Sequence, residues 1–147
     1  MAGALEGSVP VLYGSQLTVP VAYRWKTQIN EYSKLPAFFH ALPEADHNEI
    51  VGWEGVGAEL GEHTAVFLLD ADQHPRNRKR AELTAGLISD RGHRVLKVES
   101  KGQSPTARLF WTVMFGDLVS LHLAAMGGVD PAPVPVIEEL KDRLGRP

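Results

Sequence analysis

The feature that most constrains the fold is an unbroken apolar run, TAVFLL, at Thr64–Leu69, which Asp70 closes. A strand with one face in water alternates apolar and polar residues, so a continuous run of this length predicts a strand buried on both faces. Such strands occur almost only in parallel sheets that helices cover on both sides. The run therefore predicts a central strand of an α/β domain.

Strand-like and helix-like patterns alternate along the rest of the chain. Val9–Tyr13 and Arg94–Glu99 have the apolar or alternating character of strands. Helical periodicity or helix-start signals predict four helices, at Pro20–Lys34, Ala81–Ser89, Pro105–Gly127 and Val136–Leu144. The alternation predicts one α/β domain over residues 1–147, with a mostly parallel sheet, and we expect a variable loop at Gln73–Arg80.

Composition narrows the functional classes. The 147 residues contain no cysteine, which excludes disulfides and thiolate chemistry and makes a cytoplasmic location the expectation. The net charge of −3 does not suggest a nucleic-acid partner. The six histidines do not have the spacing of metal ligands, and no apolar run is expected to span a membrane. We therefore expect no metal, no cofactor and no membrane or nucleic-acid partner.

Parallel α/β sheets bind ligands beyond the carboxyl ends of their strands, which directs attention to the loop YGSQLT after the first strand. Ser15 and the backbone donors of this loop could hold a phosphate at the start of the next helix. A polar turn that caps the helix explains the same residues, since the loop has one glycine and no following lysine. Both interpretations stay open, and Ser15 is a candidate substrate-binding residue.

Three segments resemble a known enzyme family: TQINEYSKLPAF, LPEADHNEIVGWE and the ending GVDPAPVPVIEELKDRL. They are similar to the second half of the bacterial and archaeal bifunctional phosphoglucose/phosphomannose isomerases, and the resemblance extends from about Pro10 to Leu144. Those enzymes carry two sugar-isomerase (SIS) domains. The resemblance implies that this chain is the C-terminal SIS domain, a flavodoxin-like three-layer α/β/α sandwich, and that a first SIS domain is absent from these residues.

The resemblance also implies a reaction: metal-free isomerisation of glucose 6-phosphate or mannose 6-phosphate to fructose 6-phosphate. Aldose–ketose isomerisation moves a proton between two adjacent carbons through an enediolate, so it needs a carboxylate base and groups that open the sugar ring. By resemblance, Glu31 is the base, His47 opens the ring, and Lys141 takes part in ring opening or hydrogen bonding. Gln28 and Asn48 are further candidate substrate-binding residues.

The residue patterns alone have simpler explanations. An exposed helical glutamate, a histidine at a helix start and a lysine that extends from the apolar side of its helix would account for the three candidates. Around the histidine, we expect Asp46 to cap a helix and Glu49 to lie in its first turn, while neighbouring aromatic residues bury the other side. Asp117, a lone acid in an apolar helix, is expected to have a buried partner.

The resemblance implies partners for the domain. In that family the histidine serves the active site of the neighbouring subunit, which implies a dimer, and the phosphate-binding loop belongs to the first SIS domain. We expect a sugar phosphate as substrate, with a second copy or a first SIS domain as partner. Two alternatives remain: a non-catalytic sugar-phosphate-binding or dimerisation SIS module, and the isomerase half of a protein like glucosamine-6-phosphate synthase.

Overall fold

The computed structural model of the protein describes residues 1–55 and 61–146. Its strands form one parallel sheet: β1 Val9–Gly14, β2 Phe38–Ala41, β3 His63–Leu69 and β4 Arg94–Glu99. The order across the sheet is β2-β1-β3-β4, so β1 and β3 are the interior strands. The run Thr64–Leu69 is thus an interior strand, and the prediction of an α/β domain with a parallel sheet is confirmed.

Six helices accompany the sheet among the described residues: α1 Ala2–Leu5, α2 Val19–Ser33, α3 Glu49–Gly52, α4 Pro75–Asp90, α5 Pro105–Met126 and α6 Pro135–Leu144. Two short 3-10 turns lie at Gln16–Thr18 and Glu44–His47. The start of α5 follows the sequence signal, because the Ser104 hydroxyl accepts a hydrogen bond from the Ala107 amide and Pro105 occupies the first turn.

The sheet separates two hydrophobic cores. Val66 and Leu68 of β3 face the core beneath α2 and α5, whereas Ala65, Phe67 and Leu69 face the core beneath α4. This alternation places apolar side chains of one strand in both cores, which is why its sequence shows no polar break. The result is the three-layer α/β/α sandwich.

The basic segment Gln73–Arg80 is not a loop, and that expectation was wrong. Helix α4 begins at Pro75, six residues before the predicted start, and the ring of His74 accepts a hydrogen bond from the Arg76 amide. Arg78 donates to Glu82 one turn further on, at 2.8 Å, which supports the helix. The first turns of α4 bury little side-chain surface, so their sequence shows no apolar periodicity from which the helix could be predicted.

Helix α5 has one buried side and one exposed side. Its exposed side carries a stripe of large apolar residues, which we call the α5 stripe: Phe110, Met114, Leu118, Leu121 and Met126. By length and composition alone α5 could cross a membrane, but the core helix of a folded domain meets the same criteria. In the fold, α5 packs along α2 and buries Arg108.

Helix α6 extends from the domain without a buried residue. Its apolar side, which we call the α6 face, consists of Val136, Ile137, Leu140 and Leu144, and these side chains are 40 to 76% exposed. An amphipathic helix gains most of its stability by burying such a face. The α6 face is therefore a surface that the described residues leave uncovered.

Candidate active site

Glu31 lies near the C-terminal end of α2, and its side chain is exposed. It borders a groove of about 480 Å³, together with Leu35 and Pro36 after α2 and with Val136 and Ile137 at the start of α6. The groove is mainly apolar apart from Glu31 and two neighbouring polar residues. A carboxylate at the mouth of such a groove can reach a small polar ligand bound there.

Lys34 joins the end of α2 to the segment before α6, a role that the sequence analysis missed. The residue caps α2 in the left-handed conformation, with φ of 56°. Its ammonium group donates to the carbonyl oxygens of Glu31 at 2.6 Å and Pro133 at 2.8 Å. These bonds hold the start of α6 beside Glu31. The sequence did contain a signal for this role, because a lysine at the C-terminal end of a helix can donate to carbonyl groups that have no partner within the helix.

Lys141 lies on α6, six residues after Pro135, and is exposed. Six residues of helix correspond to about 9 Å along the axis. The structure thus brings the first turn of α6 to Glu31, but Lys141 itself is not among the residues that line the groove. Its ammonium group has no hydrogen-bond partner within the described ranges 1–55 and 61–146.

His47 is the last residue of the 3-10 turn that follows β2, and its side chain is exposed. Asn48 follows it, is also exposed, and caps α3 by accepting a hydrogen bond from the Glu49 amide at 2.6 Å. The expected cap, Asp46, instead accepts a hydrogen bond from the Thr84 hydroxyl at 2.8 Å. The cap prediction for Asp46 was wrong, because α3 starts two residues later than the pattern indicated.

Glu49 occupies the first turn of α3, as expected, and both of its carboxylate oxygens are hydrogen-bonded. The Tyr13 hydroxyl donates to Oε1 at 2.5 Å, and His40 Nδ1 donates to Oε2 at 2.6 Å. The indole nitrogen of Trp53 donates to the Tyr13 oxygen at 2.8 Å. Burial raises the pKa of the Tyr13 hydroxyl above its ordinary value, and the hydrogen bond to Glu49 raises the pKa further. Tyr13 is therefore a neutral donor.

Glu31 and His47 lie in different layers of the sandwich. Helix α2, which carries Glu31, packs Trp25 and Ile29 into the core on one side of the sheet. His47 lies between Ala45 and Trp53, and both of these pack into the core on the other side. The helix that carries Glu31 and the segment that carries His47 therefore pack on opposite faces of the sheet.

Ser15 is buried and its polar groups are used within the domain. Its amide donates to the Thr18 hydroxyl at 2.9 Å, and its hydroxyl is 3.5 Å from Gln73 Oε1. These are the contacts of a capping turn, and phosphate binding by Ser15 stays a prediction. Gln28 is half-buried on α2, and its Oε1 is buried without a hydrogen-bond partner among the described residues.

Two ion pairs join elements of the fold to each other and lie outside the groove at Glu31. Arg108, only 4% exposed, donates from Nε to Asp70 Oδ1 at 2.7 Å, beyond the carboxyl end of β3. Burial raises the pKa of Asp70, but hydrogen bonds from Ser100 and Arg108 outweigh burial and lower the pKa below its ordinary value. Asp117 does have a partner, Arg24 at 2.8 Å, although this pair is half-exposed and not buried as expected.

Among residues 1–55 and 61–146, no group of three histidine, aspartate or glutamate side chains is arranged to hold a metal ion. The groove at Glu31 offers one carboxylate and the cation of Lys34, whose hydrogens are directed at carbonyl groups. A carboxylate at such a groove can act as a general base.

Comparison with known proteins identifies the family. Residues 1–144 match the model of the bacterial phospho-glucose isomerase C-terminal SIS domain. The chain belongs to this family. The resemblance found in the three sequence segments is thereby confirmed, and it covers nearly the whole chain.

Two curated relatives show how this SIS domain relates to complete enzymes. It is 39% identical over 145 residues to the bifunctional phosphoglucose/phosphomannose isomerase of Aquifex aeolicus, covering 98% of this chain and 45% of that protein. It is 43% identical over 141 residues to the protein of the same name from Caldicellulosiruptor bescii, covering 95% of this chain and 42% of that protein. The SIS domain thus spans less than half the length of these relatives.

A solved structure shows the same fold. The SIS domain superposes with a TM-score of 0.74 on a glucose-6-phosphate isomerase like protein from Thermus thermophilus. The two are 23% identical, and the match covers 96% of this chain and 45% of the other. The predicted SIS-type, flavodoxin-like sandwich is confirmed at the level of the fold.

Proposed function

We propose that this SIS domain forms the C-terminal half of an aldose–ketose isomerase that interconverts glucose 6-phosphate or mannose 6-phosphate with fructose 6-phosphate. The observation that carries the proposal is 39% and 43% identity, over nearly the whole chain, to two bifunctional phosphoglucose/phosphomannose isomerases. The remaining half of the enzyme is a first SIS domain, which supplies the phosphate-binding loop.

Glu31 is the proton-transfer base of this proposal. Its carboxylate removes the proton from the carbon beside the carbonyl group, which gives an enediolate, and then returns the proton to the neighbouring carbon. The exposed position of Glu31 at a groove of about 480 Å³ supports this role, since a base must meet its substrate directly. The half-buried Gln28, one turn earlier on α2, is the proposed hydrogen-bonding residue for a sugar hydroxyl.

His47 acts at the active site of a second subunit. The placement of the Glu31 and His47 segments on opposite faces of the sheet supports this assignment, because ring opening and proton transfer occur on the same sugar. An imidazole suits ring opening, since its unperturbed pKa lies near neutrality and it can both accept and donate a proton. Asn48, exposed beside His47, would accompany it into that site.

The uncovered apolar surfaces support partners for the domain. The α5 stripe and the α6 face together expose nine large apolar side chains, and patches of this kind mark interaction surfaces. We assign these surfaces to contacts with the first SIS domain and with a second copy of the chain. Docking of the α6 face would also orient Lys141, which is needed for ring opening or for a hydrogen bond to the substrate.

The test joins this domain to a first SIS domain, in one chain or as two chains, and measures conversion of fructose 6-phosphate. In that assembly Glu31→Gln should lower the rate by about 10² to 10⁴, the scale for a positioned acid–base group, with little change in substrate affinity. Glu6→Gln is the matched control, since Glu6 is an exposed glutamate that does not line the groove, and the activity of this variant should be unchanged.

Full activity of Glu31→Gln would contradict the assignment of the base. An assembly that binds fructose 6-phosphate but never isomerises it, with every residue intact, would instead favour the alternative of a sugar-phosphate-binding module.

A further inference from the structure

The turn that presents His47 is held by a set of hydrogen bonds that the isomerase reaction does not use. We call this set the Glu49 clamp: Tyr13, His40, Glu49 and Trp53. One carboxylate oxygen of Glu49 accepts from Tyr13 and the other accepts from His40, while Trp53 donates to Tyr13. Glu49 is thus tied at once to β1 and to β2, two neighbouring strands of the sheet.

The clamp rests on a rigid part of the molecule. Tyr13 and Trp53 are 2% and 4% exposed, and the ring of Tyr13 stacks on Phe67 of β3 with centroids 4.8 Å apart. Both side chains have their polar atoms satisfied inside the clamp. The carboxylate of Glu49 is therefore fixed relative to the central strands, and the backbone two residues before it carries His47.

On the side before His47, Ala45 is buried and Asp46 accepts a hydrogen bond from Thr84, but packing does not hold the side after His47. Helix α3 is a single turn of four residues, none of which is buried. The His47 side chain makes no hydrogen bond within the described part of the chain, and Asn48 contacts only Glu44, at 3.3 Å, and the Glu49 amide. A short exposed turn of this kind is mobile unless specific bonds fix it.

We propose that Glu49 is a positioning residue for His47: its two-sided hydrogen bonding fixes the turn from which the imidazole reaches the sugar ring of the neighbouring active site. The proposal rests on the ring-opening role given to His47 above. In this proposal Glu49 acts through the turn and not on the substrate, and each of its oxygens already accepts a hydrogen bond from the protein. Loss of the clamp would misplace the imidazole and leave Glu31 unaffected.

The test uses the two-domain enzyme and two substrates. Fructose 6-phosphate is mainly cyclic and needs ring opening, whereas 5-deoxyfructose 6-phosphate lacks the hydroxyl that closes the ring. Glu49→Ala should lower kcat for fructose 6-phosphate by about 10- to 100-fold, the cost of a misplaced catalytic group, and leave 5-deoxyfructose 6-phosphate unaffected. Glu49→Ala should add nothing to His47→Ala, since both changes remove the same step.

Two further variants separate positioning from chemistry and from folding. Glu49→Gln should retain most activity, because its amide oxygen can still accept from Tyr13 and its amide nitrogen can donate to His40 Nδ1 once the imidazole takes the tautomer protonated on Nε2. An inactive Glu49→Gln would mean that Glu49 transfers protons itself and would overturn the proposal. If Glu49→Ala does not fold, Tyr13→Phe removes one donor, leaves the ring stacked and should show the same selective loss. Glu54→Ala, at an exposed glutamate paired with Arg91, is the control and should behave as wild type.

The outcomes also separate this proposal from the function on which it rests. Equal loss on both substrates in Glu49→Ala, with a selective loss in His47→Ala, overturns the positioning role alone. Absence of any selective loss in His47→Ala overturns both the ring-opening role and the positioning role.

Discussion

At the scale of single residues, the side chains proposed for catalysis and the charged side chains that stabilise the fold lie in different environments. Glu31, His47 and Lys141 are exposed and make no side-chain hydrogen bond to the described residues, whereas Arg108 and Asp70 are buried against each other. An exposed charged group on a helix has no periodic signature that separates it from a solvated one. The pattern alone could not single out the three candidates, and their roles came from the family resemblance.

Tyr13 should make stability depend on alkaline pH. Its folded-state pKa is raised above the ordinary value, so the folded chain holds the phenolic proton more tightly than the unfolded chain. This contribution is complete below about pH 10 and is lost as pH rises above it, by at most about 1.4 kcal/mol per pH unit. Urea unfolding between pH 8 and 11, as a test range of our choosing, should show a steeper loss for wild type than for Tyr13→Phe. Identical slopes would contradict this.

At the scale of elements, the sequence predicted three of the four strands and the four longer helices, but not β2, α1, α3 or the start of α4. β3 and α5 have strong apolar signals, and their predicted bounds agree with the structure within one residue. β2 has four residues and an exposed Phe38, so its pattern is too short to separate a strand from a loop. The start of α4 was missed because its charged first turns are fixed by a proline and side-chain hydrogen bonds, not by burial.

The contact between α2 and α5 depends on a glycine. A methyl group at Gly116 would lie 2.1 Å from the indole nitrogen of Trp25, which is fully buried and donates to the Thr112 carbonyl. Gly116→Ala should therefore lower the free energy of unfolding by about 1–3 kcal/mol, the usual cost of overpacking, despite its better helix propensity.

The matched control for this substitution lies in α4. A methyl group at Gly86 meets nothing within 4 Å, so Gly86→Ala should raise the free energy of unfolding by about 0.5–1 kcal/mol. Chemical denaturation of both variants measures the contrast. A stabilised Gly116→Ala would show that α2 and α5 are not in close contact.

At the scale of the whole molecule, the proposed active site draws on more than one chain or domain. Glu31 and the start of α6 meet at one groove, while His47 lies on the other side of the sheet. Sequence alone could not show this separation, because Glu31 and His47 are close along the chain and their assignment to opposite layers depends on the crossover through β2. The α5 stripe and the α6 face are the exposed apolar surfaces that we assign to contacts with the proposed partners.

Mixing two inactive variants of the two-domain enzyme tests this central claim most directly. Glu31→Gln and His47→Ala chains, each with its own affinity tag, are co-expressed, and hybrid dimers are verified by sequential purification. If His47 serves the neighbouring subunit, a hybrid has one site with both residues intact. A random mixture should then recover about one quarter of wild-type activity, since about half of the dimers are hybrids with one working site. Verified hybrids that stay as inactive as their parents would contradict the shared site, because Glu31 and His47 would then have to act within one chain.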